Sequence, residues 1–146
     1  MNHDSYDDAY IVGILSSVRT IAVVGASANP ARPSFGVSRF LIGQGYEVYP
    51  VNPGHAGGEI LGRPVYASLA DIPVEIDMVD VFRASDAVSG VVDEALALSP
   101  LPRVVWMQLG VRNDAAAARA EAVGVQVVMN RCPVIEFGRL SDRIRK

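Results

Sequence analysis

Cysteine is nearly absent from this chain. Cys132 is the only one in 146 residues, so an internal disulfide is excluded. With two histidines, His3 and His55, it is also too little to build a metal site of the zinc-finger type. Excess positive charge is missing too. Thirteen Lys and Arg against sixteen Asp and Glu give a net charge of −3, which offers no electrostatic reason to expect a nucleic-acid partner. No apolar run approaches the roughly 18 residues a membrane helix needs, so no membrane partner is expected. The first eight residues, Met1 to Asp8, are acidic and polar, unlike a secretory leader. They are expected to form a mobile tail, and the protein to be cytoplasmic. Repeats, low-complexity tracts and linkers are lacking, so residues 1–146 are expected to form one domain, large enough for a real core.

What is present is organised around the stretch from Thr20 to Ser34. Ile21 to Val24 is a short, β-branched apolar run bounded by Gly25, the pattern of a buried strand. The following residues are small, polar and broken by Pro30 and Pro33, which predicts a loop. From Phe35 to Gln44 the pattern turns helical. A strand, a Gly and Ser loop and a helix make a phosphate site in α/β proteins, because loop N–H groups and the helix N-terminus present partial positive charge.

Taken in order, Tyr6 to Ser17 predicts a lead-in helix with Ser5 as its cap, since Ile11, Ile14, Leu15 and Val18 recur at helical spacing. The helix after the central loop stops at Gly43-Gln-Gly45. Tyr46 to Val51 predicts a second strand, Ile60 to Val65 a short extended piece, and Ser68 to Asp71 one turn. Ile76 to Phe82 predicts a third strand. Ser85 is placed to cap a helix whose Val88, Val91, Val92, Ala95 and Leu96 form one stripe. A fourth strand centres on Val104 to Met107. Asn113 caps a helix that Gly124 ends, and Val125 to Met129 predicts a fifth strand. A last helix runs from about Val134 to Ile144. Five alternations of strand and helix predict an α/β fold: a doubly wound, mainly parallel five-stranded sheet with helices on both faces.

Ligands of such sheets bind beyond the carboxyl ends of the strands. The residues expected there are Gly25, Ala26, Ser27, Arg32 and Ser34 after strand one, and Asn52 and Pro53 after strand two. Phe82 and Arg83 follow strand three, Gln108 and Gly110 strand four, and Asn130, Arg131 and Cys132 strand five. A dinucleotide site is one candidate, yet the stretch Gly25 to Pro30 has only the first glycine of G-x-G-x-x-G. Strand two also ends at Asn52-Pro53 without the acidic residue that would hold a ribose.

Five collinear motifs carry a resemblance: Val23 to Gly36 (VVGASANPARPSFG), Tyr49 to Pro53 (YPVNP), Asp77 to Arg83 (DMVDVFR), Val104 to Val111 (VVWMQLGV) and Val128 to Pro133 (VMNRCP). Together they resemble the stand-alone CoA-binding domain proteins, which are similar to the nucleotide-binding domain of the succinyl-CoA synthetase α subunit. The resemblance spans roughly Ile11 to Leu140 and implies a Rossmann-like fold that binds coenzyme A or an acyl-CoA. Carried over by motif, Gly25 and Ser27 would face the diphosphate and Arg32 a phosphate. Asn52 and Pro53 would border the adenosine, Phe82 and Arg83 would lie along the ligand, and Gln108 near the pantetheine. The synthetase's relay histidine belongs to a separate domain that this chain lacks, so no catalytic machinery is expected.

Three functions stand at this point: a CoA or acyl-CoA binder without chemistry of its own, an NAD(P)-binding oxidoreductase or redox-sensing domain, and an interaction subunit that completes an acyl-CoA ligase in trans. Plainer roles stand beside the ligand roles. Arg32 could be a solvated loop charge, Asn52 a turn former, and Arg83 a helix cap or a partner of Asp86. Phe82 and Trp106 suit the core, and Met78, Met107 and Met129 fill it. Asp71, Asp77 and Asp80 form no acid/base constellation. Cys132 is either a small buried hydrophobe or a redox residue, whose thiolate Arg131 next to it would favour.

Overall fold

The computed structural model describes residues 1–145, so Lys146, the last residue of the expected domain, lies outside it. In chain order the elements are α1 (Asp8–Ser17), β1 (Thr20–Val24), α2 (Pro33–Gly43), β2 (Glu47–Val51), β3 (Glu59–Ile60), β4 (Arg63–Pro64), β5 (Met78–Val81), α3 (Val88–Leu96), β6 (Val104–Met107), α4 (Asp114–Ala122), β7 (Gln126–Val128) and α5 (Pro133–Leu140). Five strands pair in parallel in the order β2-β1-β5-β6-β7. This is the expected Rossmann-like α/β sheet. The chain leaves β1 towards one side for β2 and returns on its other side as β5. That reversal creates a crevice above the β1–β5 pair.

β-Branched and other apolar residues fill the strands because both faces of the sheet are covered. On one face Ile11, Leu15, Leu41 and Leu140 from α1, α2 and α5 pack with Val23 and Trp106. On the other, Val88, Val92, Ala116 and Ala120 from α3 and α4 pack with Val79 and Val105. The extended piece expected over Ile60 to Val65 is a two-stranded hairpin, β3–β4, turned by Leu61 and Gly62, both at positive φ.

Local signals explain several helix ends. Asn113 Oδ1 accepts the Ala116 N–H at 3.0 Å, capping α4, and Gly124 at φ 88° lets the chain leave it. Pro33 occupies the first turn of α2, where no N–H is needed. Two expected caps are different. α1 starts at Asp8 with Asp7, not Ser5, in the cap position. Ser85 opens a 3₁₀ turn ahead of α3, and its Oγ accepts the Arg112 N–H at 3.1 Å from the loop after β6. The first residues lie against the body. The Tyr6 hydroxyl accepts the Met129 N–H at 2.8 Å, and His3 contacts Tyr6 and Glu121. No described helix is long and apolar enough to cross a membrane.

Candidate functional site

The loops that follow β1, β5, β6 and β7 wall a cleft of about 790 Å³ at the carboxyl ends of the strands. Gly25 opens it. At φ 86° this glycine turns the chain sharply out of β1, and a Cβ there would stand 3.0 Å from the Phe82 carbonyl oxygen. No other residue type fits without strain. The Gly25 and Ala26 N–H groups both point to the Val51 carbonyl, at 3.0 and 3.2 Å, and the Ser27 N–H donates to Ser34 Oγ at 3.1 Å. These donors therefore brace the loop on β2 and α2. What this side offers a ligand is the N-terminus of α2 and the exposed Arg32, which makes no ion pair among the described residues.

Of the residues expected at the strand ends, Gly25, Ala26, Ser27, Arg32, Ser34, Asn52, Phe82, Gln108 and Cys132 share the cleft. Pro53, Arg83, Gly110, Asn130 and Arg131 lie outside its lining. Asn52 spends its amide on the fold, for Nδ2 donates to the Ala26 carbonyl at 2.8 Å and Oδ1 accepts the Gly54 N–H at 2.9 Å. Gly110, at φ 81°, donates its N–H to Asn130 Oδ1 at 2.7 Å and so ties the loops after β6 and β7 together. Arg83 packs its Cδ beside Gly25.

Part of the lining is apolar. Leu109, Val111, Val134 and Ile135 form it, with Leu109 and Ile135 more than half exposed. Sequence reasoning did not single these out, because Val134 and Ile135 read as ordinary helix residues until α5 is seen to begin at the cleft. Gln108 also lines the cleft. It is 7 % exposed and its Oε1 has no hydrogen-bond partner. One pleat deeper on the same face, Asp80 is fully buried between Val23 and Trp106, and neither carboxyl oxygen has a partner. Burial pushes the Asp80 carboxyl well above the usual carboxylate range, so it is held as the neutral acid.

Cys132 lines the cleft as the N-cap residue of α5, 8 % exposed. Arg131 does not serve it. The guanidinium turns away to the Asn130 carbonyl at 2.8 Å and lies 5.0 Å from the Tyr6 ring centroid. The Arg131 backbone is pinned instead, for Trp106 Nε1 donates to its carbonyl at 2.9 Å. Among the described residues, no group of three or more His, Cys, Asp or Glu side chains could hold a metal ion.

Three comparisons bear on this cleft. A family model described as CoA binding domain matches residues 19–138. An uncharacterized protein of Bacillus subtilis (strain 168), YneT, is 40 % identical over 124 residues, covering 85 % of this chain and 89 % of the relative. The α subunit of the ADP-forming acetate–CoA ligase I of Pyrococcus furiosus is 38 % identical over 84 residues, which are 55 % of this chain but only 18 % of that subunit. Among solved structures, a hypothetical protein from Pyrococcus horikoshii OT3 superposes with a TM-score of 0.88 at 38 % identity, covering 97 % of this chain and 96 % of that one.

Proposed function

This chain belongs to the CoA binding domain family, and from that premise we propose that it binds coenzyme A or an acyl-CoA in the cleft at the strand ends, without catalytic machinery of its own. The observation that carries this reading is the mixed character of the cleft. The same cleft is lined by a cation and the start of a helix, Arg32 to Ser34, and by the apolar side chains of Leu109, Val111, Val134 and Ile135. Coenzyme A has matching parts: a phosphate-rich nucleotide, then an arm that alternates amide N–H groups with methylenes. Arg32 would meet a phosphate. Gly25 and Ser27 would face the diphosphate. Gln108 would lie near the arm. The cleft volume lies within the range of about 300–1,000 Å³ usual for small-molecule sites. No Asp, Glu or His lines it among the described residues, which favours binding over acid/base chemistry.

The test is ligand choice. Coenzyme A at about 100 times its dissociation constant should add about 2.7 kcal/mol of stability, read as a rise in Tm, and NADH should add none. Arg32→Ala should cost about 1.5–3 kcal/mol of binding, and more for CoA than for dephospho-CoA if Arg32 meets the 3′-phosphate. A melting shift with NADH and none with CoA would overturn the reading. The match to a ligase subunit favours a second role on the same site, in which the chain lends its bound CoA to a ligase partner in trans.

A further inference from the structure

We propose that the segment from His3 to Tyr6 is a strap that holds the cleft loops after β6 and β7 in a ligand-ready arrangement, so that its docking regulates the affinity for coenzyme A, a regulation that rests on the CoA reading. The segment is polar and acidic, a composition that by itself would leave it in solvent. The structure instead anchors it on the edge of the sheet. Strand β7 is that edge, and its outward N–H and C=O groups need partners. Tyrosine hydroxyls supply them. Tyr10 donates to the Val127 carbonyl at 2.8 Å and accepts the Val127 N–H at 3.1 Å. Tyr6 accepts the Met129 N–H, just beyond the strand, at 2.8 Å.

The anchor continues from Tyr6 to a buried histidine. Because the Tyr6 oxygen already accepts, its proton is free for His3 Nδ1, 2.7 Å away. This assigns the ring proton of His3 to Nε2, which donates to Glu121 of α4 at 3.1 Å. Both ring nitrogens are thus engaged, and His3 is only 9 % exposed. The Tyr6 ring stacks on Tyr10 with centroids 5.8 Å apart, and the Arg131 guanidinium lies 5.0 Å from its centroid. A chain of hydrogen bonds that share their groups docks as a unit.

Asp4, between His3 and Tyr6, joins the strap to the cleft. Its carbonyl accepts from Arg131 Nη2 at 3.3 Å, and its carboxylate accepts from Arg112 Nη1 at 2.8 Å. Arg131 precedes Cys132 and Arg112 follows Val111, both of which line the cleft. The two loops form one unit, for Asn130 Oδ1 accepts the Gly110 N–H at 2.7 Å and the Asn130 N–H donates to the Val111 carbonyl at 3.1 Å. The Asp4–Arg112 pair is largely exposed and contributes little by itself. The firmer hold is Tyr6 on Met129, the residue before Asn130. Lifting the strap takes contacts from both loops. A looser pair is ligand-ready for a smaller fraction of the time, and affinity falls by that fraction.

Cys132, the only sulfhydryl of the chain, lines the cleft at 8 % exposure and so reports loop opening. The experiment measures its rate of alkylation by iodoacetamide, and the dissociation constant of CoA, in wild type, His3→Ala, Tyr6→Phe and the double variant. Ile72→Val, a core change in the layer under α3 and α4, controls for lost stability. The expected result in either strap variant is alkylation about fivefold faster and CoA binding about fivefold weaker. The double variant should stay close to the larger single effect, because both changes break one hydrogen-bonded chain. Ile72→Val should change neither reading. Unchanged alkylation in both strap variants, with CoA still bound by wild type, would overturn the strap and leave the CoA reading in place. Faster alkylation with unchanged CoA affinity would overturn the regulation. Equal effects in Ile72→Val would reduce the strap to general stability and overturn the proposal as well. A wild type that binds no CoA would overturn both readings.

Discussion

Asp80 is a fully buried carboxyl with no hydrogen-bond partner on either oxygen. The sequence makes it one of the alternating positions of Asp77 to Arg83, indistinguishable there from a solvated carboxylate. Only the pairing of β5 between β1 and β6 reveals that its face is sealed by Val23 and Trp106. The folded protein keeps this acid protonated to a pH well above the 3.8 usual for the unfolded chain. Between those two values the unfolded state binds fewer protons than the native one, so stability is highest below the unfolded pKa and falls as pH rises through the window. Asp80→Asn, neutral at every pH, should remove that decline. The check is urea midpoints at about pH 4, 6 and 8, with wild type losing ground to the variant as pH rises. Parallel profiles would contradict a buried neutral acid. Gln108 and Cys132 were legible as strand-end residues by position alone. The expected service of Arg131 to Cys132 was not, because the direction of a long side chain depends on Tyr6 and the Asn130 carbonyl, which are set by the fold.

Among the elements, those with strictly local determinants were the most readable. The stripe of Val88, Val91, Val92 and Ala95 marks α3, and Asn113 with Gly124 brackets α4, because cap geometry needs only neighbouring residues. Ser5 and Ser85 are the same residue type in similar settings and cap nothing. The Ser85 hydroxyl is engaged by the loop after β6, a competitor about 27 positions away that no local rule registers. The junction of β7 and α5 depends on such a contact as well. Trp106→Phe keeps a ring in the core but strips the donor from the Arg131 carbonyl. Losing a hydrogen bond to a part-buried carbonyl costs about 0.5–1.5 kcal/mol, so the variant should lose at least that much stability. It should also react faster at Cys132 with a small aromatic disulfide, since the segment before α5 loses a tether. Destabilisation without faster labelling would show that Trp106 does not hold the cysteine.

On the scale of the whole molecule, the sheet divides the core in two. Ile14 lies in the cluster under α1, α2 and α5, and Ile72 in the one under α3 and α4. Ile14→Val and Ile72→Val should each cost about 0.5–1.5 kcal/mol. With no shared partners, the double variant should cost their sum within about 0.5 kcal/mol. A larger discrepancy in denaturant midpoints would mean that the two layers communicate through the sheet. Hydrophobic periodicity, proline and glycine by themselves determined that there are five alternations of strand and helix, and hence a parallel sheet with its loops at one edge. Those signals are carried by residues within a turn or two of each other. Tertiary structure alone decided which loop residues meet. Gly25, Arg32, Gln108, Cys132 and Ile135 come from three loops and one helix start, spread over more than a hundred positions, and only the strand order β2-β1-β5-β6-β7 brings them to one cleft. It also decided which polar atoms go without partners, because that depends on packing from every side and not on the residue's own neighbours in the chain.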